Sequence, residues 1–205
     1  MKDRILAVDI FRGITIVLMI LVNNPGTWSA VYAPFLHADW HGYTPTDLVF
    51  PFFLFIVGTS IAFAYQNKTG SANTYKKISV RSLKLIGLGL FLGAFSITFP
   101  FFDEFSSIRF PGVLQRIGVV FFITSILFIN FNWKTLVGIT IFILIGYWLV
   151  MGFIPVEGVI STFDRAPNNL ANYVDVNILG NHMWKKDYDP EGILSTIPAV
   201  ASCIL

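Results

Sequence analysis

The sequence predicts an all-α membrane protein, a polytopic bundle of transmembrane helices. Hydrophobic residues make up 55% of the 205-residue chain and charged residues 13%, against about 25% charged in soluble domains. The mean hydropathy is +0.68. Several apolar runs also reach the roughly 17–25 residues that a helix needs to cross a bilayer. The first expected partner is therefore the lipid bilayer.

Apolar runs of about this length occur at five places. They cover Ile5–Val22, Leu48–Tyr65, Leu85–Phe99, Val113–Phe131 and Thr135–Ile154. A sixth run begins near Ile193 and reaches Leu205 before it is long enough to span. We expect five complete transmembrane helices plus the start of a sixth. Residues 1–205 are then predicted to be the N-terminal part of one larger multi-helix transmembrane domain, truncated at Leu205.

Helix 1 is predicted to be retained and not cleaved as a signal peptide, because Asp9 and Arg12 interrupt its apolar run. Three residues apart on a helix, these two side chains share a face and can pair. The pair is either a simple ion pair at the membrane interface or part of a site that holds an anionic ligand. Both interpretations stay open on the sequence.

The start of helix 2 has a capping pattern. Thr44 suits the N-cap position, Pro45 the first helical position, and Asp47 the third. In helix 4, Gln115 and Arg116 lie in the first turns. A charge inside a bilayer costs about 2.5–3.5 kcal/mol, so Arg116 is expected to reach a partner on another helix or a bound anion.

The distribution of charges sets the predicted orientation, because loops rich in Lys and Arg stay in the cytoplasm. The basic residues on this side are Lys2, Arg4, Lys68, Lys76, Lys77, Arg81, Lys84 and Lys134. The opposite loops, 23–46, 100–112 and 155–192, collect most of the acidic residues and contain no glycosylation sequon. We expect a bacterial inner membrane protein with a cytoplasmic N-terminus. The net charge of +2 says nothing about nucleic acid, and no nucleic-acid partner is expected.

The outward stretch "HADWHGYTPTDLVFPFFLFIVG" (37–58) places titratable groups at the mouth of an apolar helix. His37 and His41 are four apart, with Asp39 between them, and His182, Asp39 or Asp47 are candidates for a third metal ligand. Gly42 and Pro45 disfavour one continuous helix through both histidines, so no metal is expected. A neutral imidazole beside a cavity suits proton transfer or nucleophilic attack.

The long 155–192 loop combines aromatic rings with amides and carboxylates, the groups that a sugar-binding surface needs. Trp184 and Asp189 in this loop, together with Asp39 and Trp40 of the earlier stretch, are the predicted substrate-binding residues. A solvated loop and an interfacial aromatic belt explain the same composition.

Four stretches together resemble the heparan-α-glucosaminide N-acetyltransferase family and its bacterial relatives. They are "DIFRGITIVLMILVNNPG" (9–26), "HADWHGYTPTDLVFPFFLFIVG" (37–58), "RFPGVLQRIG" (109–118) and "YDPEGILSTIPA" (188–199). The resemblance implies a multi-helix membrane enzyme that uses cytoplasmic acetyl-CoA to acetylate a glucosamine amine across the membrane. It places the active histidine at His37 and the active-site asparagine at Asn23, with Asn24 as a substitute.

Given this resemblance, His37 is predicted to act as a base or as an acetyl carrier, with Asp47 as a further catalytic residue. Candidate acetyl-CoA contacts are Arg12, Lys76, Lys77, Arg81, Lys84, Gln115 and Arg116. The acceptor is an amino sugar or the end of a glycan, and a homodimer is a possible assembly. Three other classes remain open: an amino-sugar transporter, an intramembrane metal hydrolase and a purely structural membrane module.

Overall fold

The computed structural model describes residues 5–66, 70–95, 99, 101–102 and 108–205. Seven α-helices are found in this part of the chain: α1 (Leu6–Asn23), α2 (Val49–Tyr65), α3 (Ala72–Ala94), α4 (Val113–Asn130), α5 (Trp133–Phe153), α6 (Leu170–Leu179) and α7 (Thr196–Ile204). Two short 3₁₀ helices, Ala33–Phe35 and Thr46–Leu48, precede α2. The described residues form no β-strand, so the all-α prediction is confirmed for them.

Four of these helices are long and apolar enough to cross a membrane, α1, α4, α5 and the segment Thr46–Tyr65. The predicted count of five complete spans plus a sixth is not confirmed. Helix α3 does not qualify because it begins at Ala72, well before the predicted Leu85, and carries four basic side chains before that residue. Residues 96–98 of the predicted third span, and the basic residues Lys2, Arg4 and Lys68, lie outside the described part of the chain.

Helix α6 lies in the segment that was predicted to be one long loop. It begins because the Asn169 side chain accepts hydrogen bonds from the backbone N–H groups of Ala171 and Asn172. It ends at Gly180, whose φ of 57° is readily adopted by glycine. One face of α6 is buried, with Leu170 in a small cluster with Met151 of α5. The helix therefore belongs to the packed body of the protein.

The main core lies where α2, α3, α4 and α7 meet. Its fully buried side chains include Leu54, Ile61, Ile78, Val120 and Cys203. Helix α1 packs against α2, with Phe11 and Phe52 in edge-to-face contact at 5.4 Å. Most of the apolar surface of α1 is left exposed, as expected for a helix that faces lipid.

Helices α2 and α7 approach closely at Gly58, and this contact gives a first prediction. A Cβ atom at Gly58 would lie 1.9 Å from the backbone oxygen of Cys203, so the helices must separate to accept any side chain. Gly58→Ala is expected to destabilise the protein by about 1–3 kcal/mol, measured as a lower melting temperature in detergent.

Gly146→Ala in α5 is the matched control, because a Cβ there meets no atom within 4 Å. Alanine also has the higher helix propensity, by about 1 kcal/mol, so this variant is expected to melt at or above the temperature of the wild type. A Gly58→Ala protein as stable as the Gly146→Ala protein would contradict the close packing of α2 on α7.

Candidate active site

A cavity of about 810 Å³ opens between the end of α1, the start of α2, the helices α4–α6 and the segment that leads to α7. All the predicted catalytic and substrate-binding residues line it: Asn23, His37, Asp39, Trp40, Asp47, Trp184 and Asp189. The fold thus brings together residues that are as much as 166 positions apart (189 − 23). Asn24 is not among the lining residues, so the geometry favours Asn23.

His37 and Asp47 form the central pair of this cavity. The imidazole Nδ1 lies 2.6 Å from Asp47 Oδ1, and 68% of the His37 side chain is exposed. A carboxylate on one ring nitrogen favours the tautomer that has its proton there, which leaves the lone pair of Nε2 free. Nε2 has no hydrogen bond to any described residue. The ring is thus held by one nitrogen and presents the other.

The Asp47 carboxylate also holds the loop that carries His37. Its Oδ2 accepts hydrogen bonds from the backbone N–H groups of Ala38, at 3.1 Å, and Thr44, at 2.8 Å. Part of the capping prediction is confirmed, because Asp47 reaches back to Thr44. The part that placed the N-cap at Thr44 is wrong. The Thr44 hydroxyl donates to Leu36 O, and the helical turn Thr46–Leu48 begins without a side-chain cap.

The second histidine of the stretch lies outside the cavity lining and joins two segments that are distant in sequence. His41 Nε2 lies 2.6 Å from Asp164 Oδ1, and the neighbouring Trp40 indole donates to Phe163 O at 2.8 Å. These bonds hold the 155–192 segment over the 37–43 segment. Within the described residues, no group of three or more His, Cys, Asp or Glu side chains has the geometry to hold a metal ion.

Arg109 organises the acidic side of the cavity. Its guanidinium donates to both oxygens of Asp189, at 2.8 and 2.5 Å, and also to Glu191. Asp189 accepts two further hydrogen bonds, from the backbone N–H groups of Trp184 and Glu191. Burial alone would raise the pKa of Asp189, but these donors outweigh it and hold the pKa below its ordinary value. Both oxygens of Asp189 are thus engaged within the protein.

Arg116 reaches partners beyond its own helix, as predicted. The side chain is buried, and it donates to Gly192 O at 3.2 Å and to the Ser195 hydroxyl. It therefore ties α4 to the start of α7. Gln115 points elsewhere: its amide oxygen would be 2.3 Å from a Cβ at Gly89 of α3. Neither side chain is among the residues that line the two cavities described here.

A smaller cavity of about 460 Å³ lies toward the other end of α2. Arg12 and Arg81 both line it. Arg12 donates to Ser60 at 2.9 Å and lies 3.4 Å from Asp9, as predicted for that pair. Phe53 lines both this smaller cavity and the larger one. Lys76, Lys77 and Lys84 lie on exposed parts of α3 and do not line it.

Arg109 and Asp175 are among the cavity residues to which the sequence assigned no role. Arg109 precedes α4 in the quoted stretch 109–118, but its partners lie 80 and 82 positions away. Asp175 was counted only among the acids of the outer loop. Its place on α6 distinguishes it, and the sequence did not predict that helix.

The fold and the cavity define a polytopic membrane protein with a histidine–carboxylate pair in a pocket at one end of its helices. Comparison with known proteins identifies the family. The family described as "Heparan-alpha-glucosaminide N-acetyltransferase, catalytic" matches residues 4–183. The chain belongs to this family.

Two curated relatives agree with this assignment. Heparan-alpha-glucosaminide N-acetyltransferase of Homo sapiens is 33% identical over an alignment of 261 residues that covers 100% of this chain. The Mus musculus protein of the same name is 31% identical over 260 residues, covering 99% of this chain. The chain spans 38% of the length of both relatives.

Proposed function

We propose that this chain carries the acetyl-transfer site of a membrane N-acetyltransferase. The reaction moves the acetyl group of acetyl-CoA to the amine of a glucosamine-type sugar. Family membership and the names of both relatives support the reaction class. The observation that carries the proposal is the His37–Asp47 pair, 2.6 Å apart, with its free ring nitrogen in a cavity large enough for a sugar.

In a direct transfer, His37 Nε2 accepts a proton from the amine as nitrogen attacks the thioester carbonyl. General-base catalysis of this kind contributes about 10²–10⁴-fold. Asn23 already donates one amide hydrogen to Met19 O at 2.8 Å. Its second amide hydrogen is available to the oxyanion, a contribution typically of about 10²–10³-fold.

In a two-step transfer, Nε2 attacks the thioester first, CoA leaves as the thiol, and the amine then takes the acetyl group from His37. In this route the amine needs a base other than His37, and the sequence makes Asp47 a candidate. Its bonds to the His37 ring and to two backbone N–H groups favour a positioning role in both routes.

The two cavities suggest how acetyl-CoA reaches His37. Arg12 and Arg81 offer two guanidinium groups to the phosphates at the smaller cavity. Asp47 and Ser60 are thirteen residues apart, which is about 20 Å of helix rise. An extended pantetheine arm is suited to such a distance, and it would pass the wall that the cavities share at Phe53.

The proposed orientation places the basic half of α3 in the cytoplasm and the His37 cavity on the outer face of a bacterial inner membrane. The positive charges of α3 support the first assignment. We further propose that α3 completes a five-span arrangement and that α7 begins a sixth.

An assay of the whole protein in sealed vesicles tests the proposal. Acetyl-labelled acetyl-CoA is enclosed on the side of α3 and glucosamine is added on the side of His37. Labelled N-acetylglucosamine is expected outside, and exchanging the two substrates between compartments is expected to abolish it. Glucosamine uptake without an acetylated product would identify a transporter instead. A hydrolytic activity that a metal chelator removes would identify an intramembrane metal hydrolase instead.

A further inference from the structure

We propose that Asp175 is the residue that binds the acceptor's ammonium group and takes its first proton. This inference rests on the proposed function and deepens it, because it names the group that recognises the amine. It is carried by the position of one carboxylate oxygen in the large cavity.

Asp175 lies on α6 and is 2% exposed, yet it lines the cavity that contains His37. Its Oδ1 accepts a hydrogen bond from the backbone N–H of Ile193 at 2.8 Å. Its Oδ2 has no hydrogen bond to any described residue, and it packs against Gly192, where a Cβ would lie 1.8 Å away. The carboxylate therefore has one oxygen fixed and one left for a ligand.

The other carboxylates of the cavity are already engaged or are open to solvent. Asp47 holds His37 and its loop, while Asp189 and Glu191 share Arg109. Asp39 is exposed. Among the described lining residues, Asp175 is the buried carboxylate that has an oxygen to spare and forms no ion pair with a cation. An ammonium group that leaves water needs such a partner, because an unpaired charge is costly to bury.

The charged and titratable groups that act on Asp175 come from three elements: Arg116 on α4, Tyr147 on α5, and Asp189 in the segment before α7. Burial raises the pKa of Asp175 to about 6, with Asp189 acting in the same direction, and the Ile193 N–H and Arg116 oppose the rise. Near neutral pH the group is thus a carboxylate that accepts a proton more readily than an exposed aspartate.

The proton balance assigns two separate tasks. The ammonium transfers one proton to Asp175 Oδ2 and becomes the free amine. The nitrogen then bonds to the thioester carbonyl carbon, the carbon–sulfur bond breaks, and the second N–H proton passes through His37 to the departing sulfur. Asp175 finally releases its proton to water. The products are the N-acetyl sugar, CoA thiol and one proton.

Glucosamine binding to the whole protein in detergent, measured by calorimetry without acetyl-CoA, tests the inference. Asp175→Asn is expected to weaken glucosamine binding by about 10- to 100-fold, as for the loss of a charge-assisted hydrogen bond. Binding of N-acetylglucosamine, which lacks the ammonium, should not change. Wild-type affinity for glucosamine should fall below pH 6, where Asp175 is protonated, and the Asn variant should lack this dependence.

Glu157→Gln is the matched control, because Glu157 is exposed in a turn of the outer segment and does not line the cavity. If Asp175→Asn does not fold, carbodiimide labelling of Asp175 in the wild-type protein tests the inference instead. Glucosamine, but not N-acetylglucosamine, should protect Asp175. An Asn variant with wild-type glucosamine affinity, or labelling that glucosamine does not slow, would overturn the inference. Glucosamine binding through Asp175 without any acetyl transfer would instead contradict the proposed function.

Discussion

His37→Ala is expected to lower the rate of acetyl transfer by about 10²–10⁴-fold, the usual contribution of a general base. The ring is held by Asp47 through Nδ1 and presents Nε2 to the cavity, so no described side chain can replace it at that position. Initial rates of acetylglucosamine formation in membranes, at saturating acetyl-CoA, measure the effect. Most of the loss should fall in kcat.

His41→Ala is the control for this prediction. His41 belongs to the same short segment, but its ring is paired with Asp164 and does not line the cavity. We expect the His41 variant to keep most of its activity. Equal losses in the two variants would mean that the segment acts through its conformation and that His37 has no chemical role.

The fate of the acetyl group separates the two routes. If His37 is a carrier, labelled acetyl-CoA without acceptor should leave label on the wild-type protein and none on His37→Ala. In a direct transfer neither protein is labelled, and the kinetics are strictly sequential. Asp47→Asn should slow both routes, since the imidazole then lacks the carboxylate that sets its tautomer.

Arg109→Gln is expected to destabilise the protein by about 3–5 kcal/mol, because it leaves buried carboxylates without their cation. The Asp189 side chain is fully buried, and the Glu191 side chain nearly so. Arg109 also lies 5.0 Å from the Trp184 ring, so the 155–192 segment should loosen when the guanidinium is removed. Thermal unfolding in detergent, followed by tryptophan fluorescence, measures the loss.

Arg165→Gln provides the comparison, because Arg165 forms a similar pair with Asp187 at 2.6 Å but on the exposed surface. Exposed ion pairs contribute little to stability, so this variant should melt close to the wild type. Adding Asp189→Asn to Arg109→Gln should recover part of the loss, since one buried charge is then removed. Equal melting temperatures for Arg109→Gln and Arg165→Gln would contradict the central role of Arg109.

The sequence predicted the strongly apolar helices well, because lipid-facing segments depend on hydropathy alone. Helix α1 starts and ends within one residue of its predicted bounds, and α4 and α5 within two. Helix α3 was predicted to begin at Leu85 because its first half is polar. It begins at Ala72, where Ser71 accepts a hydrogen bond from the Thr74 N–H as its cap. Hydropathy does not detect such a start.

The site was predictable where one short segment carries it. His37 and Asp47 are ten positions apart, and a direct side-chain hydrogen bond joins them. The Arg109–Asp189 pair depends instead on how α4 meets the segment before α7, across 80 positions. Asp175 becomes recognisable only once α6 is known to turn that residue into the cavity. Its unpaired oxygen is a property of packing, and no sequence pattern records it.

The shared wall at Phe53 has a consequence for the energetics of the membrane. If the two cavities joined into one water-filled channel, ions would flow through it down their gradients. The membrane would then lose the gradients that drive other processes. Phe53 lines both cavities, so this residue is part of the barrier that separates them at this level of α2. Any passage of a substrate arm must therefore be brief and tightly fitted if the membrane potential is to survive each turnover.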